Sequence, residues 1–296
     1  RLAVFNWLRQ QHDRLGEVLP RSLLEKGFEF NGVRVHLIGP QGIFKPRILD
    51  TAPISITTTP KGPYCDHFNS RGLLSYSYRG TDHRHRDNVG LREAMKYQLP
   101  LVYFHGIVPG KYLTVWPVFI VNDHPELLSF DVAVDDALAV EQRLQMGDVP
   151  LVNDSTIARW EYITSTVRTR VHQSAFREKV LRAYREQCAL CRLKHVELLE
   201  AAHIIPDKEK QGEPLVENGL SLCKLHHAAF DSYFIGIRPD YTVVLREDVM
   251  RETDGPMLRH GLQGLHGSSL VLPSRHSDWP DTDRLAERFD RFSLNP

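Results

Sequence analysis

The sequence predicts an α+β chain in two parts, a curled β-rich first half with helices and a small second domain held together by a metal ion. Three observations predict it. Short runs of β-branched and aromatic residues, separated by Gly and Pro, fill residues 33–120. A strongly basic segment with helical periodicity follows at 164–194. Three of the four cysteines then crowd, with several histidines, into residues 188–231, CALCRLKHVELLEAAHIIPDKEKQGEPLVENGLSLCKLHHAAFD.

Composition narrows the function classes. At 296 residues there is room for two ordinary domains, and 42% hydrophobic with 25% charged residues is the balance of a soluble globular protein. Lys+Arg (37) and Asp+Glu (37) cancel, so a polyanionic partner has to be held by a local patch and not by a global field. No apolar run approaches the roughly 18 residues of a membrane span, and there is no signal-peptide pattern. The expected location is the cytoplasm, where clustered thiols stay reduced and bind metal. Because the chain opens on Arg1, an initiating methionine is expected to precede it.

In chain order, Leu2, Phe5, Leu8 and Leu15 recur at helical spacing, and Leu23 with Leu24 extend into a second short helix. After Asn31-Gly32 the pattern alternates, so Val33–Ile38 reads as a half-buried strand ending at the turn Gly39-Pro40-Gln41-Gly42. Ile54–Thr59, Leu73–Tyr78, Leu101–Phe104 and Tyr112–Ile120 are further strands. One helix interrupts them from Asp87 to about Tyr97, with Leu91, Ala94 and Met95 inward.

The order of these pieces resembles that of SRA domains of the PUA-like superfamily. The matching pieces are Ser55-Ile56, Gly62-Pro-Tyr64-Cys-Asp66, Tyr76-Ser-Tyr78-Arg-Gly80 and Asn88-Val-Gly-Leu91-Arg-Glu-Ala94, with Pro100-Leu-Val, Gly110-Lys-Tyr112 and Trp116 similar to the closing strands. The glycine-rich run usual after Tyr-x-Gly is replaced by Gly80-Thr-Asp-His-Arg. The resemblance implies a PUA-like curled barrel that reads modified cytosine by extruding it from the duplex. Tyr64 and Tyr78 would then sandwich the base and Asp66 accept from its amino group. The alternative reading of each tyrosine is strand packing, and of Asp66 a turn cap. Arg79, Arg84 and Arg86, with His83 and His85, would hold phosphates, or else form a solvated loop.

Turn signals at Asn122–Pro125 and Gly147–Pro150 bracket a helix expected over Val134–Met146, and the domains are expected to divide as 1–150 and 151–296. In the basic segment Arg168, Arg170, His172, Arg177, Lys179, Arg182, Arg185, Arg192 and Lys194 are opposed only by Glu178 and Glu186, a one-sided sign suited to DNA phosphates. Ser174 is expected to cap a helix whose Phe176, Val180, Leu181 and Tyr184 turn inward.

Thiolate and imidazole suit Zn²⁺, so Cys188, Cys191, Cys223 and His226 are expected to form a closed Cys₃His site. That leaves His203, Asn218, His227 and Asp231 for other chemistry. Taken together, Cys-x₂-Cys, Ala-His203-Ile-Ile-Pro, Asn218 and Cys-x₂-His-His resemble the HNH, or ββα-metal, nuclease motif over about 175–234. The resemblance implies His203 as general base, Asn218 as the residue tying the loop, and His227 as a ligand of a catalytic Mg²⁺ or Mn²⁺. Asp231, one helical turn on, would join His227 at that ion. Ala202 departs from the family, many of whose members carry Asp or His there, so the ion would rely on His227, Asp231, phosphate and water. Glu197 and Glu200 read as surface or hairpin residues.

In the tail, Tyr241–Leu245 reads as a strand, Gly255–His260 as a short helix and Leu285–Phe292 as an amphipathic helix. The whole resembles bacterial modification-dependent, type IV restriction endonucleases that act on double-stranded DNA. Since such units nick one strand each, double-strand cutting would need a homodimer or two encounters. The competing readings are a zinc-containing DNA-binding regulator with an inactive HNH unit, and a nuclease reading unmodified sequence or another modification.

Overall fold

The computed structural model describes residues 1–60, 67–69, 72–146, 154–253 and 255–294. Two compact units emerge, Arg1–Ser174 and Ala175–Pro296. The sequence expectation put the division at 150.

The first unit opens with α1 (Leu2–Leu15), β1 (Val18–Pro20) and α2 (Arg21–Lys26). Helix α1 buries Val4, Phe5 and Leu8, while Leu15 is exposed. Strands β2 (Phe28–Phe30) and β3 (Val33–Val35) form a hairpin. At its turn Asn31 (φ 49°) and Gly32 (φ 76°) are both left-handed, the geometry that matches strand twist. The strand expected to reach Ile38 stops at Val35.

The other strands of this unit are β4 (Ile43–Phe44), β5 (Ser55–Thr58), β6 (His67–Phe68), β7 (Leu74–Ser77), β8 (Leu101–Val108), β9 (Lys111–His124) and β10 (Ser129–Val134). They form a curled half-barrel in the order β4-β5-β8-β9-β10-β7-β6, with β1 added on β9. Every pairing is antiparallel except β5 with β8, and α3 (Arg86–Lys96) lies in the chain between β7 and β8. All six residues of β10 are buried, the polar Ser129 and Asp131 included. The sequence expectation placed no strand here and began a helix at Val134; α4 instead spans Ala137–Met146.

Helix α5 runs from Asp154 to Ala183, and Ser174, expected as its cap, lies inside it. No Gly or Pro interrupts these residues. The apolar stripe jumps phase between Val171 and Phe176, which gives the sequence the look of a fresh start.

In the second unit the strands are β11 (Leu199–His203), β12 (Gly219–Cys223), β13 (Ile235–Ile237) and β14 (Val243–Leu245). The helices are α6 (Lys224–Asp231), α7 (Glu247–Arg251), α8 (Pro256–Gly261) and α9 (Thr282–Ser293). Asp281 caps α9 by accepting from the Arg284 N–H at 2.9 Å. One core joins Val180, Leu181 and Tyr184 to Leu199, Leu220, Leu222, Phe230, Ile235 and Leu285. Among the described residues no helix is long and apolar enough to cross a membrane.

Phe104, fully buried on β8 in the core shared with α1, tests the sheet. Phe104→Ala is expected to destabilise the first unit by about 3–5 kcal/mol, read as a lower denaturation midpoint.

Candidate active site

The site is built on the β11–β12 hairpin, whose register pairs Leu199 with Cys223 at one end and His203 with Gly219 at the other. A knuckle tight enough to bring Cys188 and Cys191 together packs on this hairpin, its Ala189 N–H donating to Ser221 O at 2.7 Å. Helix α6 starts immediately after Cys223 and carries His226, His227 and Asp231.

One ligand atom each from Cys188, Cys191, Cys223 and His226 lies within 4.8 Å of all the others. His226 Nδ1 is 3.4 Å from Cys188 Sγ and 3.2 Å from Cys223 Sγ, and Cys191 Sγ is 4.0 Å from Cys223 Sγ. A tetrahedral ion with Zn–S near 2.3 Å and Zn–N near 2.0–2.1 Å sets its ligands about 3.5–3.8 Å apart, so the cluster could hold zinc. The other ring nitrogen of His226 bonds to Gly261 O at 2.8 Å, which turns Nδ1 toward the sulfurs.

At the opposite end of the hairpin Asn218 is fully buried. Its side chain accepts from the Ile205 N–H at 2.9 Å and donates to Ile205 O at 2.9 Å and Glu213 O at 3.1 Å. Its carbonyl accepts from the Ile204 N–H at 3.0 Å. The loop leaving His203 is thereby clamped through a single amide. Gly219 follows because a Cβ there would sit 2.4 Å from Val180 Cγ2.

His203 ends β11 with its ring stacked on Phe176, centroids 4.0 Å apart. Its Nε2 is buried without a hydrogen-bond partner. Burial holds this imidazole below its ordinary pKa of 6.5, against the opposing pull of Asp207 and Asp231. A neutral ring is what a general base requires.

His227 has the reverse environment. Its Nε2 lies 3.2 Å from Asp231 and its Nδ1 is 2.7 Å from Glu200. The hydrogen bond with Asp231, reinforced by Glu200, raises its pKa despite burial. An imidazole flanked by two carboxylates, one for each nitrogen, could present one nitrogen to a divalent cation and anchor the other. Glu200, read from the sequence as a surface or hairpin residue, does lie on the hairpin strand β11, and it also stands against His227. Parity was the available signal: Glu200 and Ala202 share a face of β11, so Glu200 brings a carboxylate to the face where Ala202 has none. Arg288 of α9, 4.0 Å from Asp231, was also missed. It stacks on Phe230 and Tyr233 and donates to Phe230 O at 2.9 Å.

The remaining site residues are placed as follows. Tyr64 and Asp66 lie outside the described residues. Tyr78 is 1% exposed and stacked on Phe130, and its hydroxyl donates to Asp123 and accepts from Arg92 at 2.8 Å. Arg79 pairs with Asp87 and Gln41, and Arg170 with Glu17 at 3.0 Å. Arg177 donates to Glu178 at 2.9 Å and to the carbonyls of Val196 and Leu199, bracing the start of β11. Arg84 and Arg168 are exposed.

Removing the ion by strong chelation, or Cys223→Ser, is expected to cost the second unit its cooperative unfolding transition, with a loss of roughly 10 kcal/mol or more and no bound zinc by metal analysis. Glu200→Ala should weaken Mn²⁺ binding about 10–100-fold in a paramagnetic-resonance titration, and Glu200→Gln, which keeps an acceptor for His227, should recover part of it.

Residues 188–238 match the HNH endonuclease family. No curated protein matches the chain. Among solved structures, a modification-dependent TagI restriction endonuclease is 17% identical, with 96% of this chain and 90% of that chain covered and a TM-score of 0.30. The type IV phosphorothioation-dependent restriction endonuclease ScoMcrA is 14% identical, with 81% of this chain and 56% of that chain covered and a TM-score of 0.21. Similarity at those scores defines neither a common fold nor a common substrate. The family match and the geometry meet on the same residues: the chain carries an HNH endonuclease domain, and its activity class is that of a metal-dependent DNA nuclease.

Proposed function

We propose that this chain is a modification-dependent DNA endonuclease whose first unit selects modified cytosine, as the 5-methyl or 5-hydroxymethyl base, and whose second unit hydrolyses the phosphodiester. The observation that carries the nuclease half is His203, a half-buried imidazole at the hairpin end whose proton affinity burial lowers and which feels the charges of His227 and Asp231.

In this reading His203 takes the proton from the water that attacks phosphorus. Asn218 keeps the His203 loop in place through its three side-chain bonds. His227 and Asp231 hold the catalytic Mg²⁺ or Mn²⁺, with Glu200 orienting the His227 ring. Such an ion supplies charge stabilisation at the phosphate and at the leaving oxygen. Zn²⁺ in the Cys₃His cluster is structural.

The modification half is supported by the order of SRA-like pieces and, among the described residues, by the curled half-barrel that carries Ser55-Ile56, Tyr76-Ser77, Tyr112 and Trp116. Extruding a base requires an aromatic face and groups reading its Watson–Crick edge. Tyr64 and Asp66 take those roles, and Tyr78 contributes as a buried part of the wall. Arg79, Arg84, Arg168 and Arg170 supply phosphate contacts, and Arg177 acts by bracing β11. A cutter restricted to modified bases would spare unmodified host DNA and destroy modified phage DNA.

The test is cleavage of methylated, hydroxymethylated and plain duplexes with Mg²⁺ or Mn²⁺. Modified duplexes should be cut and plain ones spared; equal cutting of all three removes the modification half. His203→Ala should lower the rate about 10²–10⁴-fold. Because the base works unprotonated and burial lowers its pKa, the parent rate at saturating metal should fall only as pH drops below the usual imidazole range. At limiting metal the acid limb should move to higher pH, since the raised pKa of His227 makes protons compete with the ion.

A further inference from the structure

A recess of about 380 Å³ opens on the knuckle side of the second unit, lined by Arg185, Gln187, Arg192, Lys194 and Val271. Its lining borders the Cys188–Cys191 knuckle but includes none of the residues assigned to either metal group, and three of its five lining residues are cations. None of the three makes a side-chain ion pair or hydrogen bond among the described residues, unlike Arg177, Arg284, Arg288 and Arg291 in the same unit. The adjacent acid Glu186 is not part of the lining.

The backbone here is unusual. Arg185 (φ 57°), Glu186 (φ 53°) and Arg192 (φ 63°) are all left-handed, a region that non-glycine residues occupy at a cost. The end of α5 accounts for Arg185, since a cation there complements the helix carbonyls. It does not account for Arg192 and Lys194, which enter from the far side of the Cys-x₂-Cys turn. Val271 of the tail is fixed to that turn by its N–H bond to Ala189 O at 2.8 Å. Three unpaired like charges around one recess repel each other, and an anion between them relieves that repulsion.

We propose that this recess holds one backbone phosphate of the bound DNA, away from the phosphate that is cut. This rests on the nuclease reading above. The hairpin register sets the spacing: the knuckle sits at the Cys223 end and His203 at the Gly219 end. Four residue steps at about 3.4 Å separate the two ends by roughly 14 Å, near four base-pair rises. A contact at that distance fixes the register of the strand without reading sequence. It also assigns the Cys₃His cluster a second task, because the ion that closes the knuckle positions Arg192 and Lys194.

The experiment is the salt dependence of duplex binding by the full chain, by fluorescence anisotropy without added divalent ion, for the parent and for Arg185→Gln/Arg192→Gln/Lys194→Gln. Loss of one held phosphate should reduce the slope of log K against log salt by about 1. An unchanged slope overturns the proposal. So does a fall of about 3, which would mean three cations acting on separate phosphates. Zinc content is measured alongside. If the triple variant loses zinc, Lys194→Gln decides: affinities for methylated and plain duplex should fall by one common factor, and no fall overturns the proposal. Hydrolysis of bis(p-nitrophenyl) phosphate by the parent, a substrate too small to span both sites, reports the HNH centre independently. Its absence would fail the nuclease reading while leaving the slope measurement intact.

Discussion

Four side chains meeting at one point govern the second unit. Cys188 and Cys191 come from the turn after α5, Cys223 from the last position of β12 and His226 from the first turn of α6. Drawing them together sets the angle at which α6 leaves the hairpin. That angle brings His227 against Glu200 of β11 and leaves Asp231 a turn further along the same helix. A hairpin of five-residue strands and an eight-residue helix bury little by themselves, and an ion held by the four side chains would add its binding free energy to the folding of the unit.

On that frame two histidines of the same small unit are given opposite electrostatics. His203 is stacked on an aromatic ring with one nitrogen buried and unpartnered, and burial keeps it neutral. His227 is surrounded by carboxylates that raise its proton affinity, and the same carboxylates suit a hard divalent cation. Environment, not residue type, sets the two imidazoles apart in proton affinity. Arg288 extends the logic: a guanidinium at 6% exposure, stacked on two rings, keeps a positive charge near Asp231.

The first unit meets its buried carboxylates with donors. Asp131 accepts from Asn69 at 3.1 Å and Asn122 at 3.1 Å and lies 2.9 Å from His124. Asp135 accepts from Arg143 and Arg159. Asp123 joins Tyr78 to Arg92. Buried carboxylates are tolerable because each is met by donors.

The sequence by itself determined the residues whose chemistry is local. The spacing of Cys188, Cys191, Cys223 and His226 announces a metal, the order of His203, Asn218 and His227 announces a nuclease, and α1, α3 and α9 are legible from their apolar periodicity. Strand β10 was not legible, because its polar Ser129 and Asp131 are buried only by pairing with strands distant from it in the sequence or in register. Neither was the continuity of α5, whose inward face changes phase between Val171 and Phe176. Glu200, Arg288 and the engaged state of Tyr78 and Arg177 were decided by tertiary structure alone. Each depends on a partner distant in sequence, and which carboxylate faces which imidazole, or which arginine is left unpaired, is set only when the strands and helices pack.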